Sequence, residues 1–124
     1  MGGVSGSVAY TITACWGAGI ALPVDGVLFI APTNLTITSV NGRMDVLEGA
    51  TITIQPVAVN NGAAISTGTV LTTGPLICNA ALATNQNLPV LPPGTMVAGQ
   101  AIALQVAGTI DVGVGNITIV AVSR

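Results

Sequence analysis

The chain has 124 residues, of which 51% are hydrophobic and 5% charged, where an ordinary soluble domain is roughly a quarter charged. Two arginines (Arg43, Arg124), four carboxylates (Asp25, Asp45, Glu48, Asp111) and no histidine or lysine leave few groups for general acid–base catalysis. They also leave too few cations to neutralise a nucleic-acid backbone or an anionic membrane surface.

Residues 1–7 (MGGVSGS) are expected to form a flexible arm. They show neither the basic start of a signal peptide nor the Ser or Thr at the sixth position that myristoylation wants. Residues 8–124 are expected to form a single domain. Disorder does not fit so much Val and Ile with so little charge, and no stretch of about 18 residues is continuously apolar enough to span a membrane as a helix.

Val8–Ala14 alternates as a strand and ends near Trp16-Gly17. Gly26–Ala31 (GVLFIA) is a continuous apolar run, expected to be a strand buried on both faces and stopped by Pro32. Asn34–Val40 alternates, with Leu35, Ile37 and Ser39 on one side and Thr36, Thr38 and Val40 on the other. Asn41-Gly42 is the strongest two-residue hairpin signal in the chain, and it is expected to fold Arg43–Leu47 back on that strand. Ala50–Val59 follows after a turn at Glu48-Gly49. Pro56 lacks a donor, so this strand is expected to lie at an edge or to carry a bulge.

Asn60-Asn61-Gly62 is a further turn. Ile65–Thr72 and Leu76–Leu82 are weaker strands, the latter being where a single helical turn could fit. Residues 83–91 read as a loop, and Leu91-Pro92-Pro93-Gly94-Thr95 as a stiff turn. Ala101–Ala107 and Asn116–Ser123 close the series, around a Gly- and Val-rich stretch holding Asp111. About eight strands without helical periodicity predict an all-β fold, an antiparallel β-sandwich or barrel.

No catalytic, cofactor-binding or metal-ligating residue is assigned, and the chain is read as no enzyme. Asp45 and Glu48 could pair, but the plainer reading is a solvated hairpin end with Arg43 as ion partner. Asp25 and Asp111 read as turn residues. A calcium site wants six to eight oxygens, and these carboxylates are scattered. Cys15 and Cys78 have no nearby base to make a thiolate nucleophile. Two buried free thiols are the plainer reading of them, with a disulfide as the alternative. Asn34-Leu-Thr36 and Asn116-Ile-Thr118 match glycosylation acceptors but open strong strands. The Thr-Ile-Thr recurrences are too irregular for a solenoid.

What remains is a surface problem. Strand edges without Lys or Glu pair with other chains, and nearly uncharged surfaces associate. The composition therefore predicts a subunit fixed in an assembly. Trp16, Pro92 and Pro93 are the candidate interface residues. The run Phe29–Val40 (FIAPTNLTITSV), the Leu91–Thr95 turn (LPPGT) and the closing Gly115–Val122 (GNITIVAV) resemble small β-sandwich capsid decoration (cement) and head-fibre proteins of tailed bacteriophages. That resemblance implies a jelly-roll-like sandwich and a homotrimer that decorates the capsid surface. It would bind between capsomers against the major capsid protein, in a virion assembled in the host cytoplasm, with no cofactor, nucleic acid or membrane as partner. The alternative is a tail- or head-fibre binding module that recognises host-surface carbohydrate.

Overall fold

The computed structural model describes residues 7–16, 25–46, 52–78, 85–108 and 113–124. These form ten strands and one short 3-10 turn. The strands are β1 (Ala9–Trp16), β2 (Gly26–Ile30), β3 (Leu35–Val46), β4 (Ile52–Val59), β5 (Thr69–Val70), β6 (Leu76–Cys78), β7 (Gln86–Asn87), β8 (Thr95–Met96), β9 (Ala101–Ala107) and β10 (Gly113–Ser123), and the 3-10 turn is Ile65–Thr67.

Two antiparallel sheets face each other. The first runs β1-β10-β3-β7, with β8 also on β3, and the second runs β2-β9-β4-β5, with β6 also on β4. β7 and β8 lie in tandem along one edge of β3, and β5 and β6 along one edge of β4. Each pair thus acts as one interrupted strand, which leaves eight strand positions. The pairing is nested: β1 with β10, β2 with β9, β3 with β7 and β8, β4 with β5 and β6. A ribbon folded in this way and wrapped into two sheets is a jelly roll.

Alternation builds the core. Ile117, Ile119 and Ala121 of β10, Ile52 and Ile54 of β4, and Ile102 and Leu104 of β9 point between the sheets and are buried. Tyr10 and Phe29 meet at the β1–β2 side, with ring centroids 5.5 Å apart at an interplanar angle of 51°.

Four expectations need correction. Asn41-Gly42 is no turn: β3 runs unbroken through it and pairs with β10 along its whole length. Gly42 is buried in the middle of the sheet, where a Cβ would come within 3.0 Å of both the Asn116 carbonyl and Leu76. The glycine serves close packing rather than a reversal. Second, the alternation of β3 changes phase at a bulge, where Val120 faces Ser39 but Ala121 faces Ile37. Thr38 is the extra residue, its hydroxyl donating to the Val120 carbonyl at 3.1 Å. That slip buries Val40 and leaves Ser39 half-exposed.

Third, β4 is central rather than an edge. Pro56 sits where β6 has ended and β5 has not begun. Its carbonyl faces that gap and accepts from the Leu71 N–H at 3.0 Å. The ladder position that proline cannot fill is one that no strand occupies. Fourth, the segment Ile65–Thr72 opens with the 3-10 turn Ile65–Thr67 and is strand only at Thr69–Val70, whereas Leu76–Cys78 is strand as expected; residues 79–82 of that second segment lie outside the described residues.

Candidate interaction surfaces

β2 is an edge strand, so its apolar run is not buried on both faces. A bulge between Val27 and Phe29 turns Leu28 and Phe29 toward the core. Val27 and Ile30 then lie on the outer face of the second sheet, opposite Ala103 and Ala101. Those alanines pair in turn with Val57 and Val59 of β4. Two apolar rows therefore cross the outer face, Val57–Ala103–Val27 and Val59–Ala101–Ile30. The segment holding Ile65 covers one end of them, pinned by the Gln105 amide donating to the Ile65 carbonyl at 2.8 Å. Beneath it Val57, Val59 and Ala103 are buried. At the other end Val27 is 53% and Ile30 64% exposed.

The turn carrying Pro92 and Pro93 is exposed, as expected, with a cis Pro92-Pro93 bond. It is held by the Leu91 N–H donating to Leu71 at 2.9 Å and the Ile37 N–H donating to Gly94 at 2.7 Å. Between this turn and the Thr69–Leu71 segment lies a cleft of about 160 Å³. Trp16 is the last residue of β1, level with Gly115 and Met44, two residues beyond the Val8–Ala14 strand expected from the alternation. Gly17 and Gly19 lie outside the described residues. Met44 is seven residues along β3 from Ile37, roughly 23 Å at the usual strand rise. The fold therefore separates Trp16 from Pro92 and Pro93, placing them at opposite ends of the first sheet.

A second cleft, of about 290 Å³, opens beside the covered end of the outer face and is lined by Asp25, Thr53, Gln55, Ser66 and Gln105. The Gln55 amide donates to the Pro56 carbonyl at 3.1 Å and the Thr72 hydroxyl at 2.8 Å. One carboxylate oxygen of Asp25 accepts from the Val106 N–H at 2.7 Å. This carboxylate at the start of β2 extends the β2–β9 ladder by one bond, which suits the turn role expected of it.

Charge is sparse and local. Arg43 and Asp45, two residues apart on one face of β3, form a double hydrogen bond of 2.7 and 3.2 Å. That bond lowers the Asp45 carboxyl below its ordinary value and raises Arg43. The ion-pair reading of Arg43 holds, though on a continuous strand rather than a hairpin end. Glu48 and Asp111 lie outside the described residues. Both cysteines are free, but only Cys78 is buried; Cys15 is exposed on β1. Burial pushes the Cys78 thiol up to about 11. Among the described residues no three His, Cys, Asp or Glu side chains cluster as a metal site.

Among the described residues β1 has β10 on one side and an unpaired edge on the other, a feature of strand order that residue type alone does not show. The Ser123 N–H donates to the Val8 carbonyl at 2.9 Å, and the Val8 N–H to the Ser123 hydroxyl at 2.7 Å. Backbone groups alternate sides along a strand, so the even-numbered residues of β1 face β10. The N–H and C=O of Ala9, Thr11, Thr13 and Cys15 face away from it. Among the described residues none of these four has a backbone partner.

No family model matches the chain, and no curated protein sequence matches it. Among solved structures, a chain of the cyanophage Pam1 capsid asymmetric unit is similar at a TM-score of 0.41 and 16% identity, over 95% of this chain and 85% of that one. A chain of the infectious bursal disease virus Gt strain is similar at a TM-score of 0.37 and 14% identity, over 94% of this chain and 32% of that one.

Proposed function

We propose that this protein is a structural subunit of a virion, built to be held by neighbours rather than to act on a substrate. The observation that carries the reading is the half-covered outer face of the second sheet. Val27 and Ile30 continue buried apolar rows into solvent, and no described charge lies on β2 to keep other molecules away. An exposed strip that continues a buried apolar face is the kind of surface that a neighbouring subunit covers. In its finer form the reading is a homotrimer that decorates the capsid surface, bound between capsomers against the major capsid protein. What supports that form is the resemblance of the 29–40, 91–95 and 115–122 segments to phage decoration proteins.

The test is co-purification of the chain with virus particles, followed by particle imaging that counts copies per symmetry site. Recovery only in the particle-free fraction, as a dispersed monomer, would sink the proposal. Replacing both Val27 and Ile30 by Lys is expected to leave the sandwich folded and to abolish particle binding.

One observation favours a second reading, a carbohydrate-binding module. The cleft beside Gln55 and Gln105 presents amide and carboxylate oxygens to a hydroxyl-rich ligand. Binding of a neutral oligosaccharide on a glycan array, lost when Ser66→Leu fills the cleft, is the outcome that would select it. No aromatic ring lines this cleft, and sugar sites commonly stack on one.

A further inference from the structure

We propose that the free edge of β1 binds a second copy of this chain, β1 against β1, antiparallel about a two-fold axis through Ile12. The backbone geometry selects that register. The four outward-facing residues are Ala9, Thr11, Thr13 and Cys15. Centred on Ile12, Ala9 meets Cys15 of the partner copy and Thr11 meets its Thr13, and the symmetric pairs complete the set. Every outward N–H and C=O of the four then gains a partner. Shifting the axis to Tyr10 or Ala14 keeps the antiparallel pattern but leaves some of the four unmatched.

The side chains agree with this register. Thr11 and Thr13 are both exposed on the outer face of the sheet. Their meeting across the axis repeats a pairing already present inside the molecule, where the Thr13 and Thr118 hydroxyl oxygens lie 3.4 Å apart across β1 and β10. Cross-strand threonine pairs of this kind stabilise sheets. Val8, 51% exposed just before β1, comes level with backbone position 16 of the partner copy.

Charge identifies the occupant. β1 carries no charged residue, no proline and no bulge, the devices that normally protect an edge. A charged segment would find no counter-charge on this strand. A second copy meets no repulsion and offers the same row of groups in reverse, as an isologous contact requires.

The proposal does not depend on the virion reading, because the purified chain alone tests it. Ala9→Cys places a thiol opposite the native Cys15 of the partner copy. Hydrogen-bonded antiparallel pairs have Cα atoms about 5.5 Å apart, within disulfide reach. Mild oxidation is expected to give a covalent dimer on a non-reducing gel. Thr11→Cys, which faces Thr13 of the partner copy instead, is expected to stay uncrosslinked.

Thr11→Pro removes an outward N–H and leaves the β1–β10 ladder intact. It is expected to keep the circular dichroism spectrum and to halve the sedimenting mass, whatever three-fold contact also operates. A wild-type mass of one or three chains overturns the proposal. So does crosslinking of Ala9→Cys no better than Thr11→Cys, and so does an unchanged mass for folded Thr11→Pro, which places the contact on another surface.

Discussion

Gly42 and Gly115 show how much of this sandwich rests on the absence of a side chain. At Gly42 an added methyl would press on the Asn116 carbonyl and on Leu76 at 3.0 Å. Leu76 can swing away, but the carbonyl cannot. Gly42→Ala is therefore expected to lower the unfolding free energy by about 1–3 kcal/mol, the usual range for overpacking. At Gly115 the methyl would be driven into the Arg43 carbonyl and the Met44 Cα, both backbone. Gly115→Ala is expected to cost more than Gly42→Ala in parallel urea titrations.

Cys78 makes a prediction with a sign. Its folded thiol titrates at about 11 against an ordinary 9.0, because burial disfavours the thiolate. The unfolded chain therefore loses this proton first as pH rises. Stability is full below about pH 9 and falls as pH climbs from there toward about 11. Cys78→Ala, whatever cavity it leaves, is expected to flatten that alkaline limb in thermal melts taken across the range. A thiol reagent is expected to modify exposed Cys15 in the native protein and Cys78 only after unfolding.

At the scale of elements, the strands whose alternation is simple could be read directly from the residues. Thr-Ile-Thr in β1, Ile52 and Ile54 in β4, Ile102 and Leu104 in β9, and Ile117 and Ile119 in β10 all lie where a period of two places them. The misreadings share a cause, which is that a neighbour distant in sequence overrode a local signal. Asn41-Gly42 is a turn signal only if nothing holds the chain straight, and Thr118, Ile117, Asn87 and Gln86 hold it from both sides. Pro56 suggests an edge until β5 and β6 leave a gap for it. GVLFIA suggests burial on both faces because one face does continue a buried row, yet β2 lies at the rim. Residue type singles out Trp16, Pro92 and Pro93 but cannot tell that the fold sets them at opposite ends of the first sheet. The free edge of β1 follows from strand order and lay beyond any residue-type reading.

The link between β4 and the segment after β5 makes a prediction of its own. The buried Thr72 hydroxyl accepts from the Gln55 amide at 2.8 Å and donates to the Gly74 carbonyl at 2.7 Å. Thr72→Val leaves both half-buried partners short of a hydrogen bond. It is expected to cost about 1–3 kcal/mol, read as a lower urea midpoint without a change in slope.

For the whole molecule, association should behave as apolar and backbone contact behaves. With 5% of the residues charged, screening has little to act on. Self-association is expected to be indifferent to sodium chloride and to tighten in sulfate, which is excluded from protein surfaces. An oligomer that dissociates between low and moderate sodium chloride would contradict both proposed contacts.

The nested pairing also sets an order of events in time. Among the described residues β1 finds its ladder partner only in β10, Ala9 opposite Val122 at one end and Trp16 opposite Gly115 at the other. During synthesis β1 leaves the ribosome roughly a hundred residues before β10 exists, at about 5–20 residues per second. For those seconds a nascent β1 has both of its edges open, and neighbouring chains on one polysome carry the same strand. A chaperone that shields β1 until β10 emerges would raise the yield of soluble protein.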